Sequence, residues 1–299
     1  MPTFLSCDWG TSHFRLRLVA GPRVIRQVAS PRGVASLSNA LDRPAAFHRV
    51  LRDAIRQLRP PGQDLPVVIS GMAASSIGWE ELPYARLPFA LDGSDLVTRQ
   101  VVPGVTLLSG VRSDTDVMRG EETELIGLAR VHQLDRATVI LPGTHSKHVT
   151  VVRGRIVNFQ TFLTGELFAV LSEHSVLRHS VRGPVKRNSP AFAAGVQAAA
   201  KSPVTAALFQ VRARQLLLAA RPGDGAAFLS GLLIGAEWQA IPARQPVVLC
   251  ARVAVAELYE HAARLLGFGR RLTVMKPATV DKLATVGQAF WLHRQEPKR

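Results

Sequence analysis

Two segments far apart in the chain spell the same device, an apolar strand that ends in Gly-Thr and turns back into a second strand. The first is Phe4-Leu5-Ser6-Cys7-Asp8-Trp9-Gly10-Thr11-Ser12, which runs into the alternating His13-Phe14-Arg15-Leu16-Arg17-Leu18-Val19. The second is Ala137-Thr138-Val139-Ile140-Leu141-Pro142-Gly143-Thr144-His145-Ser146-Lys147, which runs into His148-Val149-Thr150-Val151-Val152. A Gly-Thr turn offers close-set backbone N–H groups and a hydroxyl, which suit phosphate oxygens. One such turn is an ordinary hairpin. Two of them facing each other across a cleft would make a nucleotide clamp.

The elements around each turn come in the same order. Alternation and turn residues predict strands over 3–9, 13–20 and 23–29, and Asp42 caps a helix with Phe47, Val50, Leu51, Ile55 and Leu58 on its apolar face. Strands follow at 66–70 and 105–109, separated by an irregular Pro-containing stretch from 72 to 103, and Glu121-Glu122-Thr123-Glu124 opens a helix to about 133. The second half repeats this with strands at 137–142, 147–153 and 155–162, and a helix over 165–179. An all-helical insertion spans 189–220; then come a helix at 226–240, a strand at 246–250, a helix at 255–266, a strand at 272–275 and a helix at 281–294. Such a duplicated layout is the plan of two ribonuclease H-like, actin-like ATPase domains, an α/β fold with nucleotide and substrate in a cleft between them. The expected domains are 1–135 and 136–299, and the insertion suits either a dimer contact or a lid. Two unrelated α/β domains are the rival reading.

Composition narrows the class. The chain has 299 residues, 47% of them apolar and 20% charged, enough for two globular domains of about 130–150 residues each. No apolar run reaches the roughly 20 residues of a membrane helix, and no secretory signal is visible. Cys7 and Cys250 are the two cysteines; both fall in predicted buried strands, as in a reduced, cytoplasmic protein. The net charge of +15 raises nucleic acid as a partner. The basic residues, however, are scattered Arg, and the clusters Lys186-Arg187 and Arg270-Arg271 carry no interleaved aromatics. An anionic small-molecule substrate accounts for the charge equally well.

Further motifs run in a fixed order along the chain. They are Asp8-Trp9-Gly10-Thr11-Ser12, Gly78-Trp79-Glu80-Glu81-Leu82-Pro83-Tyr84 and Asp116-Val117-Met118-Arg119-Gly120-Glu121-Glu122-Thr123. After them come Leu141-Pro142-Gly143-Thr144-His145-Ser146-Lys147, Thr161-Phe162-Leu163-Thr164-Gly165-Glu166-Leu167-Phe168 and Gly231-Leu232-Leu233-Ile234-Gly235-Ala236-Glu237. On these motifs the chain resembles the bacterial 2-dehydro-3-deoxygalactonokinases, sugar-acid kinases of the actin-like superfamily. The resemblance implies an ATP- and Mg²⁺-dependent phosphotransferase of carbohydrate metabolism, in galactonate degradation. It would act on the C6 hydroxyl of 2-dehydro-3-deoxygalactonate or a closely related 2-keto-3-deoxy sugar acid. The segment Ala74-Ser75-Ser76-Ile77 departs from the polar stretch of other members. A kinase of a different sugar or sugar acid, and a non-catalytic nucleotide-binding regulator of the same fold, are the alternatives.

Transfer of a phosphoryl group to a hydroxyl needs positioning, charge neutralisation and a proton acceptor. Asp8 ends the first strand and is the candidate to hold Mg²⁺ through water. Gly10, Thr11, Gly143 and Thr144 are the phosphate-cradling positions that the resemblance implies. Lys147 and His145 stand beside the second turn, and Gly231 and Ala251 fall where the adenosine is expected. Glu122, followed by Thr123, matches the family's base position; Asp116 and Glu121 are its rivals. For a sugar acid, Arg119 and then Arg15 are candidates to fork the carboxylate. Thr164 and Glu166 would meet hydroxyls, with Thr164 also readable as an N-cap, and Ser75 and Trp79 would wall the pocket.

Overall fold

A computed structural model describes residues 3–58, 64–218, 221–242 and 244–295. In chain order the first elements are β1 (Thr3–Trp9), β2 (Phe14–Ala20), β3 (Arg23–Ser30), α1 (Arg43–Leu58) and β4 (Val67–Gly71). Next come β5 (Ala85–Arg86), β6 (Phe89–Ala90), β7 (Thr98–Val102), β8 (Val105–Leu108), β9 (Val111–Arg112), β10 (Val117–Met118) and α2 (Glu121–Val131). The series continues with β11 (Arg136–Leu141), β12 (Ser146–Val152), β13 (Arg155–Phe162), α3 (Thr164–His174), α4 (Pro190–Lys201), α5 (Val204–Leu208) and α6 (Gln210–Leu218). It closes with α7 (Pro222–Gln239), β14 (Val247–Leu249), α8 (Val253–Leu265), β15 (Leu272–Val274), α9 (Pro277–Val280) and α10 (Leu283–Gln295).

The chain divides into two compact units, one holding residues up to 135 together with 152–158 and the segment from 281, the other holding 136–151 and 159–280. In the first unit the sheet order is β3-β2-β1-β4-β8-β7. The β1–β2 pair is antiparallel, with Asp8 opposite Arg15, and β1–β4 and β4–β8 are parallel. In the second unit the order is β15-β14-β11-β12-β13, with β11–β14 and β14–β15 parallel. Read from the outer hairpin strand, each sheet runs third, second, first, fourth strand in the order of its repeat and then a further parallel strand, β8 in the first sheet and β15 in the second. The repeat expected from the sequence is real at the level of strand order, and the fold is α/β throughout.

Two segments differ from expectation. The stretch 72–103, expected to be irregular, contains β5, β6 and β7. The exposed Thr98, Arg99 and Gln100 of β7 hide it, because an edge strand with one solvated face carries little apolar signal. The segment from 281 lies in the second half of the sequence but groups with the first unit. There α10 lies directly on α2, and a Cβ on Gly287 would sit 2.1 Å from the Thr123 carbonyl oxygen. Ser6 and Thr285 hydroxyls meet at 3.0 Å, and Gln288 donates to the Cys7 carbonyl and the Ser70 hydroxyl at 2.8 Å each.

The helical insertion is no appendage of its unit. Phe192, Val196, Ala207 and Val211 share one core with Phe228, Leu229 and Leu232 of α7. Contact between α4 and α7 is so close that a Cβ on Gly231 would lie 2.1 Å from the Phe192 carbonyl oxygen. Phe209, Leu216, Leu217 and Leu218 remain exposed.

Candidate active site

In the first unit the Gly10-Thr11 turn is built by backbone. Gly10 N–H donates to the His13 carbonyl at 2.9 Å, and the Val34 and Ala35 N–H groups donate to the Gly10 and Thr11 carbonyls at 3.0 Å. Gly33 presses against this turn; a Cβ there would sit 2.3 Å from the Thr11 carbonyl oxygen. Trp9 is fully buried beneath it, edge-on to Phe14 at 4.6 Å, with its indole N–H on the Arg32 carbonyl at 3.0 Å. Thr11 is exposed and Asp8 half-buried, so the turn and the carboxylate are both accessible.

The three candidate bases differ in access. Glu122 is wholly buried. One of its oxygens accepts from Gly120 N–H at 2.7 Å and the other from the Thr123 hydroxyl at 2.9 Å. Burial, and secondarily the charge of Glu121, pushes its pKa up to about 7. Glu121 and Asp116 are half-buried. Glu121 accepts the Arg119 N–H at 3.0 Å, and Asp116 accepts the Val117 N–H at 2.7 Å. Gly120 makes the turn into α2 with φ 113°, a conformation that glycine adopts without strain.

Arg119 is held as a partly committed fork. Its Nη1 donates to the Ala74 carbonyl, its guanidinium lies 4.1 Å from the Tyr84 ring centroid, and its buried Nε has no hydrogen-bond partner among the described residues. Arg15, the second candidate for the carboxylate, is paired with Asp281 at 3.3 Å. On the same strand face Arg17, 4% exposed, binds Asp281 at 2.8 Å and Gln27 at 2.8 Å. Arg15 thus belongs to the contact with the start of α10. Ser75 is buried and donates to the Met72 carbonyl at 2.7 Å, closing a turn. Trp79 is 6% exposed, packed with Trp9 at 6.3 Å and Phe47 at 6.0 Å. Both side chains are turned into the fold, and Ser76 and Ile77 are the exposed residues of that segment.

The second unit treats its turn in a parallel way. Gly143, Thr144 and His145 are exposed. Gly165 packs on the turn, where a Cβ would sit 2.6 Å from the Gly143 carbonyl oxygen. Glu166 locks it further, its N–H on the Thr144 carbonyl at 3.0 Å and its carboxylate on His145 Nε2. Lys147 is buried in β12, on the face opposite Ser146 and His148. The N-cap of α3 is Leu163, and Thr164 is already helical.

Beside this turn opens a pocket lined by Pro142, Gly143, Thr164, Gly165, Phe168, Ser230, Leu233, Ile234, Val255, Leu258 and Tyr259. Gly231 is not among the lining residues, because its face of α7 is spent on α4, and Ala251 is buried. Behind the pocket Glu237, fully buried, accepts from Ser146 at 2.8 Å, His148 at 2.9 Å and Tyr259 at 2.6 Å. The sequence reading missed Gly33, Gly165, Tyr84 and Tyr259 and gave no role to Glu237. A glycine two or more residues from a turn carries no local mark that it packs on that turn, and Ser230, Leu233 and Ile234 read as plain helix core.

Comparison with known proteins identifies the family. The family model described as 2-keto-3-deoxy-galactonokinase matches residues 8–286. A protein of Rhizobium meliloti (strain 1021) described as a probable 2-dehydro-3-deoxygalactonokinase is 33% identical, over 96% of this chain and 97% of that one. The 2-dehydro-3-deoxygalactonokinase of Escherichia coli (strain K12) is 30% identical over 88% of this chain and 90% of its own. A crystal structure from Sinorhizobium meliloti, assigned to the same activity, superposes with TM-score 0.88 at 30% identity, covering 99% and 100% of the two chains. The fold alone is shared with the activator of 2-hydroxyisocaproyl-CoA dehydratase from Clostridium difficile, solved with ADPNP, at TM-score 0.51 and 13% identity over 100% of this chain and 99% of that one. With the family model spanning both Gly-Thr turns and the start of α2, the chain belongs to the 2-keto-3-deoxy-galactonokinase family.

Proposed function

We propose that the chain is a cytosolic kinase that transfers the γ-phosphoryl group of ATP to the C6 hydroxyl of 2-dehydro-3-deoxygalactonate or a closely related 2-keto-3-deoxy sugar acid. The observation that carries this reading is that the family match over 8–286 takes in both accessible Gly-Thr turns and the cluster of Arg119, Glu121 and Glu122. Two buried, unbridged cysteines suit a reducing compartment, and no helix among the described residues is long and apolar enough to cross a membrane.

Each group then has a task. The pocket beside Gly143 receives the nucleoside, and each Gly-Thr turn offers N–H groups and a hydroxyl of the kind that holds phosphate oxygens. No three metal-ligating side chains cluster among the described residues. Mg²⁺ needs only one or two carboxylates beside waters and phosphate oxygens, so half-buried Asp8 fits as its anchor. Bound there, the ion would supply neutralisation of phosphate charge. Arg119, half-buried and fixed by Ala74 and Tyr84, meets the substrate carboxylate. A base has to touch the hydroxyl it deprotonates. Glu122 has no surface with which to do so; Glu121, the first residue of α2 and half-buried, takes that role, and Asp116 is its rival.

The test is ADP release from purified protein with Mg²⁺ and ATP, on 2-dehydro-3-deoxygalactonate, other 2-keto-3-deoxy acids and simple hexoses. Turnover on the galactonate derivative is expected. Glu121→Gln should lower kcat by about 10²–10⁴-fold, the usual worth of a general base, while Glu122→Gln stays within about tenfold. A collapse in Glu122→Gln alone would return the base to Glu122. No turnover on any acid would sink the substrate assignment.

A further inference from the structure

The pocket in the second unit has an unusual chemical poverty for a site that would hold a nucleobase. Its side chains offer three polar groups, the hydroxyls of Thr164, Ser230 and Tyr259. Tyr259 donates to buried Glu237 at 2.6 Å, with Thr164 also bonded to it. The remaining walls, Pro142, Phe168, Leu233, Ile234, Val255 and Leu258, are apolar. Among the described residues no carboxylate, amide or cationic side chain lines the space.

Adenine and guanine present opposite patterns on their six-membered edge: an amino donor and a ring acceptor in one, a carbonyl acceptor and a ring N–H donor in the other. Telling them apart requires a group that can only donate or only accept. A serine hydroxyl does both and turns to suit either base. The N–H groups of the first turn of α8 have no side-chain cap and can only donate, but N3 and N7 are acceptors on every purine. Stacking against Phe168 and the aliphatic walls is likewise blind to the edge pattern.

We infer that this site accepts purine nucleoside triphosphates with little regard to the base, so that GTP and ITP serve as phosphoryl donors alongside ATP; this rests on reading the pocket as the nucleoside site. The reaction is unchanged in balance. The acceptor hydroxyl gives its proton to the carboxylate base, its oxygen gains the γ-phosphoryl group, the bond to the β-phosphate oxygen breaks, and the nucleoside diphosphate leaves.

The experiment measures kcat/KM for ATP, GTP and ITP with the full chain at saturating sugar acid and Mg²⁺. Sugar phosphate formation is followed directly, so that no coupling enzyme selects the nucleotide. An apolar pocket discriminates by no more than about 10²-fold, whereas a site built to hydrogen-bond one pattern rejects the other by about 10⁴-fold or more. GTP and ITP within about 100-fold of ATP is the expected result; a larger preference overturns the inference. Ser230→Ala should leave the ATP:GTP ratio within about tenfold, and a larger change would make Ser230 a base reader and overturn it as well. Val255→Trp, at a 37% exposed position, should raise KM for all three nucleotides and leave KM for the sugar acid unaltered. If a folded Val255→Trp protein binds nucleotide as before, the pocket assignment itself has failed. If it binds more weakly while base preference is strong, only base tolerance has failed.

Discussion

Glu122 and Glu237 are both completely buried, one in each unit, and they are wired in opposite ways. Glu122 is satisfied by its own neighbourhood, from Gly120 and Thr123. Both partners lie within that turn, and burial raises its pKa to about 7. Glu237 is satisfied only by distant residues, Ser146 and His148 on β12 and Tyr259 on α8. The first is a local knot at the start of a helix; the second is a rivet through three elements. Equal burial therefore says nothing about what a carboxylate does for a fold. The sequence separation of its partners does.

The contrast breaks most visibly at the rivet. Glu237→Ala would leave three buried donors without an acceptor, and a loss of about 3–5 kcal/mol in chemical denaturation is expected. A loss under about 1 kcal/mol would mean that water replaces the carboxylate and that the three elements hold without it. Glu122→Gln should act in the other direction. Because the folded pKa of about 7 exceeds the ordinary 4.5, the native state binds the extra proton. Stability then falls as pH rises from about 4.5 to about 7 and levels off above. An uncharged glutamine escapes that penalty, so the variant should be more stable at pH 8 by an amount on the order of 3 kcal/mol, with a flatter profile between pH 5 and 8. An unchanged pH profile would show that Glu122 titrates normally.

A smaller effect compares the two turns directly. Gly165→Ala places a methyl 2.6 Å from the Gly143 carbonyl oxygen, closer than packed atoms tolerate, so the second turn must shift while the sheet remains. A rise of about tenfold or more in KM for ATP is expected, since an ångström of misplacement is felt at this scale. Gly33→Ala, with a clash of 2.3 Å at the first turn, should behave alike. If Gly33→Ala leaves KM for ATP unchanged, the first turn takes no part in nucleotide binding.

What the sequence made legible follows the same division between local and distant. The paired turns, most strands and the helix starts are written in residues a few positions apart, such as the Asp42 cap on Ala45 N–H at 3.0 Å. The knot at Glu122 lies in one motif and was found as a candidate, though the motif does not tell that the carboxylate is sealed from solvent. Glu237, by contrast, sits 91 residues from Ser146, and α10 meets β1 across 281 residues through Gln288 and Cys7. Such pairings have no periodicity to read. The burial of Trp79 and Ser75 is likewise not legible, because a motif names its residues without saying which way they face.

Arg15 and Arg17 supply the finest test, because they share one partner under different burial. The long-range tie of the first unit is cationic, with both arginines reaching Asp281. Arg17 is 4% exposed and also binds the Asp281 carbonyl at 2.6 Å and Thr285 at 3.0 Å, so it cannot leave without stranding several groups. Arg15 is a quarter exposed, at 25%, and faces a carboxylate 56% exposed. Solvent screens that pair to about 0–1 kcal/mol. Arg15→Ala should therefore lower stability by less than about 1 kcal/mol and leave KM for the sugar acid unchanged, since its guanidinium is occupied by Asp281 and not by substrate. Arg119→Ala, which removes the fork at the start of α2, should raise that KM by about tenfold or more, the worth of a hydrogen bond to a charged group. A matching rise in Arg15→Ala would mean that Arg15 releases Asp281 when substrate arrives, and the carboxylate site would then have two arginines instead of one.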